Sequence, residues 1–319
     1  MDTVIIDGLS YAIPLLCIAV GGIYSERSGI INLALEGLLG VGAFTGALFI
    51  AFFGGFFAQY STAPMYFALF FAMAGGACFA MLHGLLCVKF QANQVISCIV
   101  INILAMSLTG FFTRQINSQV FLIPSDKIQL GVSPRFDIPF LSEIPVIGAA
   151  FCRVYPFQII IIAVVIFAWY FLYKTRFGMR LRACGDNPHA VDSAGISVAR
   201  MRFIAVMISG ALAGLGGISF AYYISANFSP GIYMGAGFLA IAALIFGNWR
   251  IMPTVGACLL FGFAKSGGHK LAQILEMPAS FSDLIMVLPY VVTILVLIFF
   301  AKSNRAPRAL GEIYDKGKR

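Results

Sequence analysis

Residues 156–173 read PFQIIIIAVVIFAWYFLY, a run of eighteen positions without a charged side chain. The hydrocarbon core of a bilayer is about 30 Å thick, and roughly 20 apolar residues in an α-helix cross it. A buried strand of a water-soluble domain usually has only about 4–8 apolar residues in a row. This run therefore predicts a transmembrane helix.

Similar apolar runs recur along the 319-residue chain, of which 60% is hydrophobic and 11% is charged. Soluble domains carry about 25% charged residues, so this composition excludes an ordinary cytosolic enzyme, a disordered tail and a nucleic-acid-binding module. We predict a single all-α domain, residues 1–319, folded as a polytopic transmembrane bundle of about nine spans. The predicted spans are 4–23, 37–57, 65–88, 94–112, 156–173, 203–223, 236–248, 251–268 and 283–301.

The seventh predicted span, 236–248, is short for a full crossing. The stretch Asn227–Gly231, together with Gly235 and Gly237, interrupts the chain around its start. We predict a broken or re-entrant helix, which membrane proteins tolerate where protein or a water-filled cavity covers the irregular backbone. A complete crossing is the alternative.

Glycines are frequent in several predicted spans, as at Gly42, Gly46, Gly210 and Gly214. Small residues spaced four apart allow two helix backbones to approach closely. The pattern predicts tight helix–helix packing in the bundle.

The lysines and arginines predict the orientation, because cytoplasmic loops carry an excess of both. Fifteen fall on the side of residues 174–202 and 302–319, and six fall on the other side. We therefore place the N-terminus outside and the C-terminus in the cytoplasm. Residues 113–155 then form an extracytoplasmic loop, residues 174–202 a cytoplasmic loop and residues 302–319 a cytoplasmic tail. The net charge of +8 follows from this topology.

Patterns typical of catalysis or metal binding are weak in this chain. The seven cysteines form no C-x-x-C pair, and His83, His189 and His269 lack ligand spacing. We interpret these histidines as structural and expect no metal site, cofactor or enzymatic activity. The stretch Gly262–Gly267 has the glycine spacing of a phosphate-binding loop, but the Lys-Ser/Thr pair that must follow is replaced by Gly268 and His269.

The cytoplasmic loop contains a short helix with a signal at each end. Asp186 or Asn187 is the candidate N-cap, and Pro188 suits the first helical position. The predicted helix covers His189–Ala194, and Gly195 ends it. The alternative is a solvated connecting loop, although a connector needs no pair of turn signals around a helix.

This loop and other stretches resemble the membrane subunits of ATP-binding-cassette (ABC) importers. The most similar group transports ribose-like sugars, nucleosides and branched-chain amino acids, and within it the nucleoside and simple-sugar permeases match best. The matching stretches are YKTRFGMRLRACGDNPHAVDSAGISVARMRF (173–203), ISGALAGLGG (208–217), SERSGIINLALEGLLGVGAF (25–44), GAGFLAIAALIFGNWR (235–250) and LPYVVTILVLIF (288–299).

The resemblance implies a type II importer permease fold and a transport role without catalysis. It implies that the cytoplasmic helix docks into a groove of an ABC ATPase subunit, which binds the ATP and Mg²⁺. A second permease, more often a different chain than a copy, and an extracytoplasmic solute-binding protein, often a lipoprotein, are the other implied partners. The lipid bilayer would be a bacterial inner (cytoplasmic) membrane. The implied coupling positions are Gly185, Asp186, Asn187, Pro188, Ala190, Ala194 and Gly195.

The solute that we expect from this resemblance is a nucleoside, with a simple sugar or riboflavin as alternatives. A different class of protein, an ion-coupled secondary carrier, would need a titratable residue or cation site near the middle of the membrane. Glu36 is the one serious candidate for that role, and its position is near the inner end of a predicted span.

Polar side chains inside predicted spans are candidates for the translocation path. Asn32 and Glu36 are four residues apart, so we expect both on one face of a helix. Alternatively, Glu36 is a structural lock that pairs with Arg27 or caps backbone donors.

Two further polar sets allow the same two interpretations. The polar residues in the fourth span either line the path or form hydrogen bonds between helices. Those at the outer end of the sixth span either contact a base or sugar or are ordinary interfacial residues. The first set is Ser97, Asn102 and Thr109, and the second is Tyr222, Tyr223 and Asn227.

Overall fold

The computed structural model describes residues 2–57, 63–131, 135–139, 148–231, 234–276, 287, 291 and 305–315. Ten α-helices and one two-stranded ladder account for most of this part of the chain. They are α1 (Asp2–Arg27), α2 (Leu35–Phe53), α3 (Ala63–Gly84), α4 (Gln94–Gln119), β1 (Ile128–Gln129), α5 (Pro156–Lys174), α6 (Arg176–Asp186), α7 (Pro188–Ser193), α8 (Val198–Ile224), β2 (Asn227–Phe228), α9 (Ala236–Phe246) and α10 (Ile251–Ile274).

Within the described ranges, six helices are long and apolar enough to cross a membrane. They are Asp2–Arg27, Leu35–Phe57, Ala63–Lys89, Gln94–Gln119, Pro156–Lys174 and Val198–Ile224. These helices overlap the first six predicted spans and confirm a mostly helical protein with several candidate membrane spans. The ninth predicted span, 283–301, lies outside the described residues except for positions 287 and 291. Nine spans and the orientation of the termini therefore stay predictions.

The two helices that follow β2 differ from those six. Helix α9 has 11 residues, which corresponds to about 17 Å, so it is too short to cross a core of about 30 Å. Gly235 precedes it with φ of +88°, which agrees with the predicted broken or re-entrant helix. Helix α10 is long enough to cross, with 24 residues, but Lys265, His269 and Lys270 make it less apolar than the six.

Both predicted loops contain regular structure. Helix α4 continues beyond the predicted end at residue 112 to Gln119, so the first part of the predicted 113–155 loop is helical. Farther along that loop, Ile128 pairs with Phe228 in the antiparallel β1–β2 ladder, which fastens the loop to the segment leading into α9. In the 174–202 loop, α7 confirms the predicted short helix, whereas α6 is a helix that the sequence interpretation missed.

Helix α8 packs against α1, α2 and α3 at the centre of the bundle. Glycines make this packing close. A Cβ atom added at Gly210 would lie 2.3 Å from the carbonyl oxygen of Gly76, and one added at Gly42 would lie 2.1 Å from the Cα of Gly214. Because no real Cβ fits at such distances, these contacts require glycine, as the small-residue pattern predicts.

We expect Gly210→Val to destabilise the bundle, because the added methyl groups would force α8 away from α3. Overpacking of this kind typically costs about 1–3 kcal/mol, so the unfolding temperature of the detergent-purified protein should fall by several degrees. Gly256→Val is the matched control, since a Cβ at Gly256 meets no atom within 4 Å. Equal unfolding temperatures for the two variants would contradict the close α3–α8 contact.

Candidate functional site

The chain between α1 and α2, residues 28–34, is largely buried although it is not helical. We call these residues the inner connector. Buried backbone N–H and C=O groups need hydrogen-bond partners, and side chains of α4 supply several of them. Gln94 Oε1 accepts from the backbone N–H of Ile31 at 2.7 Å, and Asn102 Nδ2 donates to the carbonyl oxygen of Leu33 at 2.9 Å.

His83 of α3 also binds the inner connector. Its Nε2 lies 3.0 Å from the carbonyl oxygen of Ile31, and its Nδ1 lies 2.9 Å from Ser97 Oγ. A carbonyl oxygen only accepts, so Nε2 carries a proton and donates it to this bond. The contacts are those of the structural histidine that the sequence suggests.

Asn32 does not share a helix with Glu36, and that part of the prediction is wrong. Asn32 lies in the inner connector, before α2 begins. Its Oδ1 accepts from the backbone N–H of Ala34 at 3.2 Å, and its Nδ2 donates to Ser209 Oγ of α8 at 2.9 Å. A side-chain bond to the backbone two residues ahead competes with helix formation, so α2 starts after Asn32. The four-residue spacing of Asn32 and Glu36 therefore does not place them on one helix face.

Glu36 binds the N-terminus of the short helix α9. Its two carboxylate oxygens accept from the backbone N–H groups of Gly235 at 2.7 Å and Gly237 at 2.6 Å. A negative charge is favourable here, because the first N–H groups of a helix are unpaired and the helix dipole is positive at this end. These contacts agree with the alternative in which Glu36 is structural and caps backbone donors. Arg27, the other suggested partner, instead donates from Nε to the carbonyl oxygen of Trp249 at 2.9 Å.

The three polar residues predicted in the fourth span make different contacts. Ser97 binds His83, and Asn102 clamps the start of α2, because its Oδ1 accepts from the backbone N–H of Gly37 at 2.8 Å. Both therefore hold helices together. Thr109 is buried, and its hydroxyl donates to the carbonyl oxygen of Ala105 at 2.8 Å within the same helix.

The three polar residues predicted at the outer end of the sixth span also have different surroundings. Tyr222 is buried against Phe157, and its hydroxyl has no hydrogen-bond partner among the described residues. Tyr223 donates from its hydroxyl to the carbonyl oxygen of Asp7 at 3.2 Å. Asn227, in β2, lines a cavity of about 340 Å³ that we call the outer cavity.

The outer cavity combines polar and apolar walls. Asn117 and Lys127 are among its polar lining residues, and Phe121 and Ile128 are among its apolar ones. Asn117 is itself held in place, because its Nδ2 donates to the carbonyl oxygens of Ser125 at 2.7 Å and Lys127 at 2.9 Å. The lining of the outer cavity is therefore mixed, as it is in sites for small polar molecules.

A buried pair at the inner end of α1 was missed by the sequence interpretation. Trp249 donates from Nε1 to the carboxylate of Glu26, and Glu26 is 4% exposed. With the bond from Arg27 to the Trp249 carbonyl, this pair ties α1 to the turn between α9 and α10. The available signal was two adjacent charges, Glu26 and Arg27, at the end of an apolar run.

The short helix α7 has the local structure that the sequence predicts. Asn187 is the N-cap, and its Oδ1 accepts from the backbone N–H of Ala190 at 3.1 Å. Pro188 occupies the first turn and is buried, whereas Asp186, Ala190 and Ala194 are exposed. Gly195 follows with φ of +76°, so the helix ends there and leaves an exposed face.

Residues 4–297 match the family model described as "Branched-chain amino acid transport system / permease component". The chain belongs to this family. It is a membrane permease component of an ABC transport system, a transport protein and not an enzyme.

Individual permeases of this family are similar over nearly the whole chain. The guanosine ABC transporter permease protein NupQ of Bacillus subtilis is 42% identical, covering 98% of this chain and 96% of NupQ. The nucleoside ABC transporter permease protein NupC of Lactococcus lactis is 39% identical, covering 100% of this chain and 98% of NupC. The glucose ABC transporter permease protein TsgB13 of Haloferax volcanii is 25% identical, covering 92% of this chain and 76% of TsgB13.

We expect Glu36→Gln to destabilise this permease. The amide keeps one acceptor oxygen, but its NH₂ group would face a backbone N–H at the start of α9. Losing a charged acceptor in a buried site costs about 1.5–3 kcal/mol. The measurement is the unfolding temperature of the purified protein, with Thr109→Val as the control, because the Thr109 hydroxyl bonds only within its own helix in the described structure.

Measuring transport in Glu36→Gln and Thr109→Val distinguishes a structural role from a role in the translocation path. A loss of flux in Thr109→Val at unchanged stability would assign Thr109 to the path. Unchanged stability and unchanged flux in Glu36→Gln would contradict the capping role.

Proposed function

We propose that this permease is the membrane-spanning subunit of an ATP-driven importer of nucleosides. The observation that carries the proposal is its 42% and 39% identity, over almost the full chains, to permeases named for guanosine and nucleoside transport. The outer cavity is compatible with such a solute, because a nucleoside combines a flat base with a polar sugar.

The proposed assembly contains this permease and three other kinds of component. An ABC ATPase with bound ATP and Mg²⁺ supplies the energy, a second and different permease completes the path, and an extracytoplasmic solute-binding lipoprotein delivers the solute. The proposed location is the bacterial cytoplasmic membrane, with the N-terminus outside and the C-terminus inside. The charge asymmetry of the sequence supports this orientation.

The proposed path uses the polar groups that do not hold the bundle together. Asn32, Glu36, Ser97 and Asn102 are occupied by contacts between helices. The Tyr223 hydroxyl is likewise bonded to another helix, at Asp7 of α1. Thr109, Tyr222 and Asn227 remain as path candidates, with the outer cavity beside Asn227 as the proposed entry. The engagement of Glu36 by two backbone N–H groups argues against an ion-coupled carrier built on that residue.

The proposed coupling element is α7 with its flanking residues, Gly185–Gly195. A capped helix with an exposed face is stiff, so a push from the ATPase would move the bundle and switch access from one side to the other. The buried face of α7 carries Pro188 and Val191, and these residues would transmit the push.

Uptake of radiolabelled guanosine tests the solute. Cells that lack this permease should lose uptake and regain it on complementation, and excess unlabelled nucleoside should compete. Competition by glucose or riboflavin, but not by nucleosides, would replace the nucleoside with that solute. Uptake that survives ATP depletion and is abolished by an ionophore would overturn the ABC importer proposal.

Variants of α7 test coupling. We expect Asp186→Arg and Pro188→Gly to abolish most uptake while the protein still inserts, because the first alters the exposed docking face and the second loosens the first turn. Glu276→Arg is the control, a charge reversal at an exposed residue after α10. Normal uptake in both α7 variants, at normal expression, would remove this helix from the coupling role.

A further inference from the structure

Residues 305–315 follow the last predicted span and lie along the inner ends of several helices. We call them the strap. The backbone N–H of Ala309 donates to the carbonyl oxygen of Gly185 at 2.8 Å, and the backbone N–H of Gly311 donates to the carbonyl oxygen of Gly29 at 3.0 Å. The strap is therefore bonded both to the base of the coupling loop and to the inner connector.

The strap also reaches α8 and the turn after α9. Arg202 of α8 donates from Nη1 to the carbonyl oxygen of Glu312 at 2.9 Å and from Nε to that of Ser28 at 3.1 Å. Asn248 Oδ1 accepts from the backbone N–H of Arg305 at 2.8 Å. Arg202 is 2% exposed, so this guanidinium fastens the strap inside the protein and not at its surface.

The fit at the centre of the strap is close. A Cβ atom at Gly29 of the inner connector would lie 3.1 Å from the carbonyl oxygen of Ala309, and one at Gly311 would lie 2.8 Å from Ile31 Cδ1. Gly311 also has φ of +82°, a left-handed conformation that other residues rarely adopt. Ala309, two residues before Gly311, is 3% exposed. Close packing and backbone hydrogen bonds at these positions show that the strap is a specifically packed part of the protein.

The end of the strap lies beside α7. The ring of Tyr314 is 5.3 Å from the ring of His189, centroid to centroid. The residue before it, Ile313, is 51% exposed. The strap therefore places an exposed isoleucine one residue before the tyrosine that contacts α7.

We propose that Ile313 and Tyr314 of the strap, together with the exposed face of α7, form one docking surface for the ATPase subunit. This inference rests on the proposed function. The strap lies on the side of the molecule that carries α7, and its hydrogen bonds join the docking surface to α6, α8 and the inner connector. A movement of the docked ATPase would then reach these elements through the strap as well as through α7.

Site-specific photo-crosslinking in the assembled transporter tests the surface. A photoreactive phenylalanine analogue is placed at position 190 of α7, at position 313, or at position 306, which is exposed at the far end of the strap. We expect crosslinks to the ATPase subunit from positions 190 and 313, and none from position 306.

The outcomes separate the two proposals. A crosslink from 190 without one from 313 overturns the strap inference and leaves the coupling role of α7 standing. The absence of a crosslink from 190 contradicts the proposed coupling role itself. Equal yields at 306 and 313 also overturn the inference, since the proximity would then not be confined to the surface beside α7.

Substitutions at the exposed isoleucine give a second measurement. We expect Ile313→Glu to lower retention of the ATPase in detergent about tenfold, the change that corresponds to about 1.4 kcal/mol of binding free energy. Ile313→Met keeps an apolar side chain and should retain the wild-type level. Because the side chain is half exposed, neither variant should disturb folding. Equal retention for the two variants would overturn the inference.

Discussion

The need to satisfy a buried, non-helical backbone shapes the part of this permease around the inner connector. Helices and closed barrels can pass through a membrane because they bond their own backbone groups, and an irregular segment needs partners from elsewhere. The inner connector obtains these partners from Gln94, Asn102, His83 and Arg202. These four side chains come from α3, α4 and α8, so the same bonds that satisfy the connector also hold the three helices in register.

The cap on α9 continues this network, because Glu36 follows the inner connector by only two residues. A carboxylate that accepts two backbone N–H groups positions a helix too short to cross the bilayer. On the other side of the connector, Glu26 and Arg27 hold the turn after α9 through Trp249. Both ends of α9 are thus bonded to residues within about one turn of the connector. A displacement of the connector would therefore move the broken helix with it.

This arrangement gives the proposed coupling a physical route. The base of the α7 loop contacts the strap at Gly185, and the strap contacts the connector at Gly29. Tightly packed glycines between α3 and α8 leave little room for bending, so these helices would move as rigid units. A force applied at α7 would then reach α9 and its cap through hydrogen-bonded contacts and not through a flexible linker.

The amino-acid sequence by itself determined the helical, membrane-spanning class, the first six spans, the α7 helix with its caps, and the permease family. These features depend on local properties, namely apolar run length, turn residues and family motifs such as residues 25–44 and 235–250. Only the tertiary structure decided which polar residues are structural. Asn32 and Glu36 looked like one helix face, yet Asn32 bonds Ser209 and Glu36 bonds Gly235 and Gly237, about 200 positions away. The strap contacts also join residues far apart in sequence, such as Gly29 and Gly311. The partners of a buried polar group follow from how helices pack, which no local pattern contains.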